Sequence, residues 1–192
     1  MKNNKKYFVV GFHCTGKKEI LDDLESLGVK VGRLFTNNTS LTNIYQQNML
    51  LYNSQDIDTL FENQAYIFLQ KRMINHTSYY EGLSLYEYDN NDVFMLTPNQ
   101  FNNIPIIPND VVVLWLDNNV SNRKSRFLTE KRDYDFLTEE NYENGDIMEF
   151  IDKINENNPM YFNNEDPLRV SAVIYSLVKN PQLYSVYKKR YV

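Results

Sequence analysis

The stretch Tyr7-Phe-Val-Val-Gly11-Phe-His-Cys-Thr-Gly16-Lys17-Lys18-Glu19 constrains this chain more than any other. An apolar run stops at one glycine, and the sequence restarts at a Gly-Lys pair leading into helix-forming residues. A buried strand, a tight glycine-flanked loop and a lysine at a helix start are what cradling a phosphate demands, because loop amides and the positive end of a helix supply the field an anion needs. The spacing matches G-x-x-x-x-G-K-[ST] through Lys17 and departs at Lys18, where Ser or Thr would carry a hydroxyl toward the magnesium ion of a bound triphosphate. Gly11, Thr15, Gly16, Lys17 and Lys18 are therefore the candidate phosphate-site residues.

The surroundings supply the context such a loop requires. Residues 6–10 are near-continuously apolar, as in a central parallel strand covered on both faces. After Lys17 the period changes, with Ile20, Leu21, Leu24 and Leu27 on one helical face and Gly28 as a stop. Further strands are expected at residues 29–35, 65–71, 93–97, 111–116 and 160–162. Thr36-Asn-Asn-Thr-Ser40 reads as a polar turn and Tyr79-Tyr80-Glu81-Gly82 as part of a loop. Helices are expected at residues 56–63 with Ser54 or Asp56 as cap, in a short piece from Pro98 to about Ile104, at 168–178, and from Pro181 onward. Residues 118–133 carry Arg123, Lys124, Arg126, Lys131 and Arg132 with few apolar positions, which predicts an exposed helix. A helix capped by Thr138 is expected to carry Ile147, Phe150, Ile151 and Ile154. The alternation predicts a three-layer α/β domain with a parallel sheet of about five strands, whose ligands sit at the carboxyl ends of those strands.

Composition narrows the class. With 192 residues, 42% hydrophobic and 23% charged, the chain has length enough for one domain with a real core. A net charge of -5 argues against a surface devoted to nucleic acid. Cys14 is the single cysteine, which excludes an internal disulfide and a cysteine-based metal cluster, and no metal ligand set is predicted. No leader-like or bilayer-length apolar run is visible, so the expected location is the cytoplasm, or a virion for a phage-encoded chain, with no membrane partner. Richness in Asn, Tyr and Lys fits AT-rich coding, as in a virus or a low-GC bacterium.

Taken together, the order of elements resembles the nucleoside monophosphate kinases of the P-loop class, and guanylate kinase most, over nearly the whole chain. The resemblance lies in the loop of residues 11–17, the helix and strand of 56–71, and Tyr79-Tyr80-Glu81-Gly82, which is similar to that family's Tyr-Tyr-Gly nucleotide-binding turn. The strand of 111–116 followed by Arg123 to Arg132 resembles the arginine-bearing lid, and Tyr161-Phe-Asn-Asn resembles the last strand. It implies a single P-loop kinase-like domain over residues 1–192, with 36–82 as the acceptor-nucleotide segment and 118–133 as the lid. It also implies phosphoryl transfer from ATP to a nucleotide or deoxynucleotide, a reaction that rests on positioning and charge neutralisation. Lys17 would then hold the β and γ phosphates, and Arg123, Arg126 and Arg132 would close over the transferring group. Arg33, Thr36 and Tyr80 would face the acceptor.

The sequence also departs from that family. Guanylate kinases grip the acceptor phosphate with Thr-Arg-x-x-Arg-x-Gly-Glu, whereas Thr36-Asn37-Asn38-Thr39-Ser40 offers no positive charge. The carboxylate that reads guanine falls near Gln70 or Lys71, and the strand of residues 93–97 ends in Leu96 and Thr97 where an aspartate would orient magnesium. ATP is the implied cofactor, while magnesium loses both of its usual protein supports.

Three functions stay open: a nucleotide kinase of altered specificity, a degenerate pseudokinase domain kept for protein contacts, for example in a viral particle, and a nucleotide-binding regulator without turnover. Plainer roles are open to the residues too. Lys18 suits a solvated surface, Arg123, Arg126 and Arg132 suit a solvated helix face, Tyr79 and Tyr80 suit half-buried loop positions, and His13 and Cys14 lie where the loop accepts almost any residue.

Overall fold

The computed structural model describes residues 5–12, 14–39, 49–74, 77–129, 146–163 and 166–190. In chain order its strands are β1 (Lys6–Gly11), β2 (Val31–Gly32), β3 (Leu34–Thr36), β4 (Met49–Leu51), β5 (Tyr66–Ile74), β6 (Thr77–Ser84), β7 (Val93–Leu96), β8 (Val111–Asp117) and β9 (Met160–Asn163). The helices are α1 (Lys17–Ser26), α2 (Ser54–Glu62), α3 (Leu85–Asn90), α4 (Pro98–Asn102), α5 (Val120–Thr129), α6 (Ile147–Glu156), α7 (Pro167–Lys179) and α8 (Tyr184–Lys188). The chain divides into two compact units, residues 1–31, 92–102 and 107–192 in the first, and 32–91 with 103–106 in the second.

The first unit is built on a five-stranded sheet of order β2-β7-β1-β8-β9. β1 pairs in parallel with β7 on one side and β8 on the other, and β8 pairs in parallel with β9. This is the expected α/β fold with β1 central. Alternation along β1 sends Tyr7 and Val9 to one face, where they join Ile20, Leu21 and Leu24 of α1 and Val170, Ile174 and Leu177 of α7 in one apolar cluster. Phe8 and Val10, equally buried, lie outside that cluster, and Phe8 meets Phe94 edge-on at 5.6 Å. On this side Phe101 of α4 and Phe150 of α6 pack edge to face at 6.2 Å. Each fully buried aromatic contributes roughly 1.5–3 kcal/mol by area, so Tyr7 and Phe8 anchor the near-continuously apolar β1 on its two faces. Tyr7 keeps its polar end satisfied by donating to the carbonyl of Leu177 at 3.0 Å, and burial, reinforced by Asp92 and Tyr184, pushes its phenol up to about 12.

The second unit holds a mixed four-stranded sheet of order β4-β3-β6-β5, with β3 parallel to β4 and antiparallel to β6, and β6 antiparallel to β5. Gly82 is required where β6 passes Phe35, because a Cβ there would lie 2.4 Å from the Phe68 carbonyl oxygen and 2.8 Å from the Phe35 ring.

Four expectations change. The strand expected at 29–35 is two strands in two different sheets, β2 and β3, broken at Arg33, whose amide leaves any ladder to donate to Glu87 at 3.0 Å. Tyr79-Tyr80-Glu81-Gly82 is not loop but the middle of β6, paired residue for residue with β5. The cap of α2 is Asn53, whose side chain accepts from the Asp56 amide while Asp56 accepts from the Asn53 amide, both at 2.9 Å, so Asp56 is the reciprocal partner rather than the cap. The helix that carries Phe150 begins at Ile147 under an Asp146 cap, and Thr138 lies outside the described residues. Among the described residues no helix is long and apolar enough to cross a membrane.

Candidate functional site

The loop between β1 and α1 is shaped by its two glycines. A Cβ on Gly11 would lie 2.6 Å from Thr15 Oγ1 and 3.0 Å from Leu116 Cβ, so only glycine lets the loop fold back on the end of β8. Cys14 and Gly16 both sit in the left-handed region, at φ 56° and 94°, and Gly16 forms the N-cap of α1. Thr15, buried, donates from Oγ1 to the Phe12 carbonyl at 2.9 Å. Lys17 folds back over the loop and donates from Nζ to the carbonyls of Gly11 and Phe12, each at 2.7 Å. An ammonium, a helix N-terminus and a glycine-flanked turn thus converge at the carboxyl end of the central strand, where an anion is favoured. Lys18 goes elsewhere: its ammonium meets Asp22 at 2.9 Å, one turn along the exposed face of α1. His13 lies outside the described residues.

Among the described residues the arginine segment meets this loop at Arg123. Arg123 is not on a solvated face, contrary to the expectation of an exposed helix, since it is 6% exposed. Its Nε donates to the Asn118 carbonyl at 3.2 Å and its guanidinium carbon lies 5.2 Å from the centre of the Phe12 ring, a cation–π arrangement. Helix pitch explains the burial, because Asn118 and Asn119 turn the chain at the end of β8 and the first turn of α5 then directs Arg123 back toward the sheet edge. Arg126 lies on α5 with its side chain outside the described set, and Arg132 lies outside the described residues.

Residues that the sequence did not mark as site candidates stand in the same neighbourhood. Asp117, one residue past the register partner of Gly11, accepts from the Asn118 amide at 2.8 Å and from the Tyr161 hydroxyl at 2.7 Å. Burial first, then the hydrogen bond to Asp117 and its negative charge, push the Tyr161 phenol up to about 12. Phe150 touches Phe12 at 5.6 Å and Trp115 at 5.7 Å, and Trp115 touches Tyr161 at 4.9 Å. The rule that ligands gather at strand carboxyl ends could have flagged Asp117, which closes the most strand-like run of the chain.

The candidates for the acceptor belong to the second unit. Thr36 is fully buried and its hydroxyl donates to the Tyr80 carbonyl at 3.0 Å while accepting from the Asn38 amide at 3.1 Å. Tyr80 is half-buried, its amide donating to Asn37 at 2.7 Å and its ring 6.0 Å from the Lys71 ammonium. Tyr79 is buried, not half-buried in a loop. Arg33 is half-buried just before β3. On the same face of β5 and β6 as Thr36 stand Gln70, Arg72 and Glu81, with Arg72 Nη1 donating to Glu81 at 2.9 Å and Gln70 bonding to the same carboxylate oxygen. Sequence reasoning missed this cluster because it reads as a charged hairpin face only once 79–82 is known to be a strand.

Two cofactors implied by the resemblance fare differently. The loop suits a phosphate in its donors: Gly16 opens α1 in the left-handed conformation, and the Lys17 ammonium stands over the loop. A magnesium ion finds no ligand at either position where the resemblance would place one: Lys18 is paired with Asp22, and Thr97, where an aspartate would stand, is bound into a cap of α4 through reciprocal bonds with Gln100 at 2.9 and 3.2 Å. Among the described residues no three His, Cys, Asp or Glu side chains gather as a metal would require.

No family model matches the chain, and no curated protein matches it. Among solved structures it is similar to the guanylate kinase from Anaplasma phagocytophilum, at 13% identity over 95% of this chain and 89% of that one, with a TM-score of 0.51. That likeness joins the β1–loop–α1 geometry and the parallel sheet to one conclusion: the fold is a guanylate kinase-like P-loop kinase fold.

Proposed function

We propose that the protein binds a nucleotide through its phosphates at the Gly11–Lys17 loop and is a P-loop phosphotransferase of altered acceptor specificity. The observation that carries this reading is Lys17, whose Nζ is held by the Gly11 and Phe12 carbonyls at the N-terminus of α1. ATP would supply the phosphoryl group. Lys17 and the amides of Gly11 to Gly16 bind and orient its phosphates, Thr15 fixes the loop through Phe12, and Arg123 adds positive charge beside Phe12. Arg126 and Arg132 belong to the same lid segment of residues 118–133, and Arg33, Thr36 and Tyr80, in the segment of residues 36–82, are assigned to the acceptor on the resemblance. The chain of residues 1–192 then acts as one kinase-like domain in the cytoplasm.

A second reading has its own support. With Lys18 paired to Asp22 and Thr97 consumed in a helix cap, the groups that handle metal are replaced by structural ones, as in a kinase domain retained for contacts with protein partners, including those of a viral particle. Titration with a slowly hydrolysed ATP analogue, with and without magnesium, separates the two. Binding that depends on Lys17 supports the first, and absence of binding at millimolar nucleotide leaves the second.

A further inference from the structure

We infer that Tyr161 is a positioning residue for the phosphate loop: through Asp117, Asn118 and Arg123 its hydroxyl holds Phe12, the residue whose carbonyl receives Lys17. Among the described residues a polar and an apolar route connect Tyr161 with Phe12. The polar route runs from the Tyr161 hydroxyl to Asp117 at 2.7 Å, from Asp117 to the Asn118 amide at 2.8 Å, from the Asn118 carbonyl to Arg123 Nε at 3.2 Å, and from the guanidinium to the Phe12 ring at 5.2 Å. The apolar route passes through edge-to-face contacts from Tyr161 to Trp115, Phe150 and Phe12. The Phe12 carbonyl then receives both Lys17 Nζ and Thr15 Oγ1.

The polar route fixes a charge and the apolar route fixes only packing. Asp117 uses one carboxylate oxygen for Tyr161 and the other for the Asn118 amide, so losing the hydroxyl frees the carboxylate to rotate and loosens the turn that presents the Asn118 carbonyl to Arg123. Arg123 is nearly excluded from water, where a guanidinium held in place acts more strongly on an anion than a mobile one. This role rests on the nucleotide-binding reading above.

Tyr161→Phe cuts the polar route and leaves the aromatic one, which makes it the discriminating variant. ATP affinity is measured by calorimetry for the full chain, for Tyr161→Phe, for Arg123→Ala and for the double variant, with the fluorescence of Trp115, the one tryptophan, as a check that the aromatic packing survives. The expected result is a loss of about five- to tenfold for Tyr161→Phe, a larger loss for Arg123→Ala, and no further loss when Tyr161→Phe is added to Arg123→Ala. Equal losses from Tyr161→Phe in both backgrounds would overturn the inference while nucleotide binding stands. If the unaltered chain fails to bind ATP, the functional reading falls instead. Hydrogen exchange at Arg123 Nε–H in ligand-free protein then decides the brace: faster exchange in Tyr161→Phe supports it, and unchanged exchange refutes it.

Discussion

Arg72 and Glu81 form an ion pair across β5 and β6, 2.9 Å apart, with side chains only 10% and 3% exposed. At that burial the pair is held by geometry as much as by charge, because Gln70 bonds to the same carboxylate oxygen. Removing one partner strands the other. Arg72→Met should therefore cost about 3–5 kcal/mol, while Arg72→Met with Glu81→Gln should cost markedly less than the sum of the single changes. Urea unfolding of the unaltered chain, the two single variants and the double variant checks this, and additive losses would mean that the pair is screened by solvent after all.

A second expectation concerns the tightest point of the loop. Gly11→Ala forces a methyl to 2.6 Å from Thr15 Oγ1, so the loop must open or Thr15 must leave the Phe12 carbonyl. A stability loss of about 1–3 kcal/mol is expected, with nucleotide affinity falling alongside. Adding Thr15→Ala removes the nearer clash and should restore part of the stability but not the affinity, since Leu116 Cβ still stands at 3.0 Å. Thermal melts and binding isotherms on the same samples separate the two effects.

Alkaline pH gives a third. The Tyr7 phenol is raised to about 12, chiefly by burial, so the folded chain keeps a proton that the unfolded chain releases near its ordinary value of about 10. Stability from this group is fully present below about 10 and is lost as pH rises toward about 12, by an amount on the order of 2 kcal/mol. Tyr7→Phe should flatten that part of the stability profile. It should also abolish the bond to the Leu177 carbonyl, so the variant starts from a lower plateau.

What was legible in the sequence, and what was not, follows from range. Residues 6–28 could be read because strand, loop and helix are local there: Phe8 and Val10 need only be apolar, Gly16 needs only to turn, and Ile20 and Leu24 fall on one face. Long-range geometry hid the rest. Nothing local to Arg33 says that the chain changes sheets there, and Tyr79 to Gly82 looks like loop until its pairing with residues 69 to 72 is known. Arg123 resembles its exposed neighbour Lys124 in sequence, yet only its position on α5 sets it against Phe12. Asp117 and Tyr161 are 44 residues apart, and their bond exists because β8 and β9 are neighbours in the sheet.

The last expectation sets Lys17 against Lys18, adjacent cations with different surroundings. Lys17 is held over the loop by two carbonyls, whereas Lys18 lies exposed beside Asp22. If phosphate is bound, Lys17→Ala removes a charge-assisted contact of about 1.5–3 kcal/mol, so affinity for an ATP analogue should fall roughly ten-fold to more than a hundred-fold. Lys18→Ala removes only a surface pair worth about 0.3–0.5 kcal/mol, with an effect on affinity of less than about threefold. Magnesium should change the affinity of the unaltered chain little, because neither Lys18 nor Thr97 offers it a ligand. Lys18→Ser returns a hydroxyl to the position next to Lys17 and should make binding more dependent on magnesium. Calorimetry of the unaltered chain and the three variants, with magnesium and with a chelator, checks the set. Equal losses at the two lysines would mean that bulk charge near α1, rather than the loop, attracts the nucleotide, and a strong magnesium requirement in the unaltered chain would mean that some other residue supplies the metal ligand.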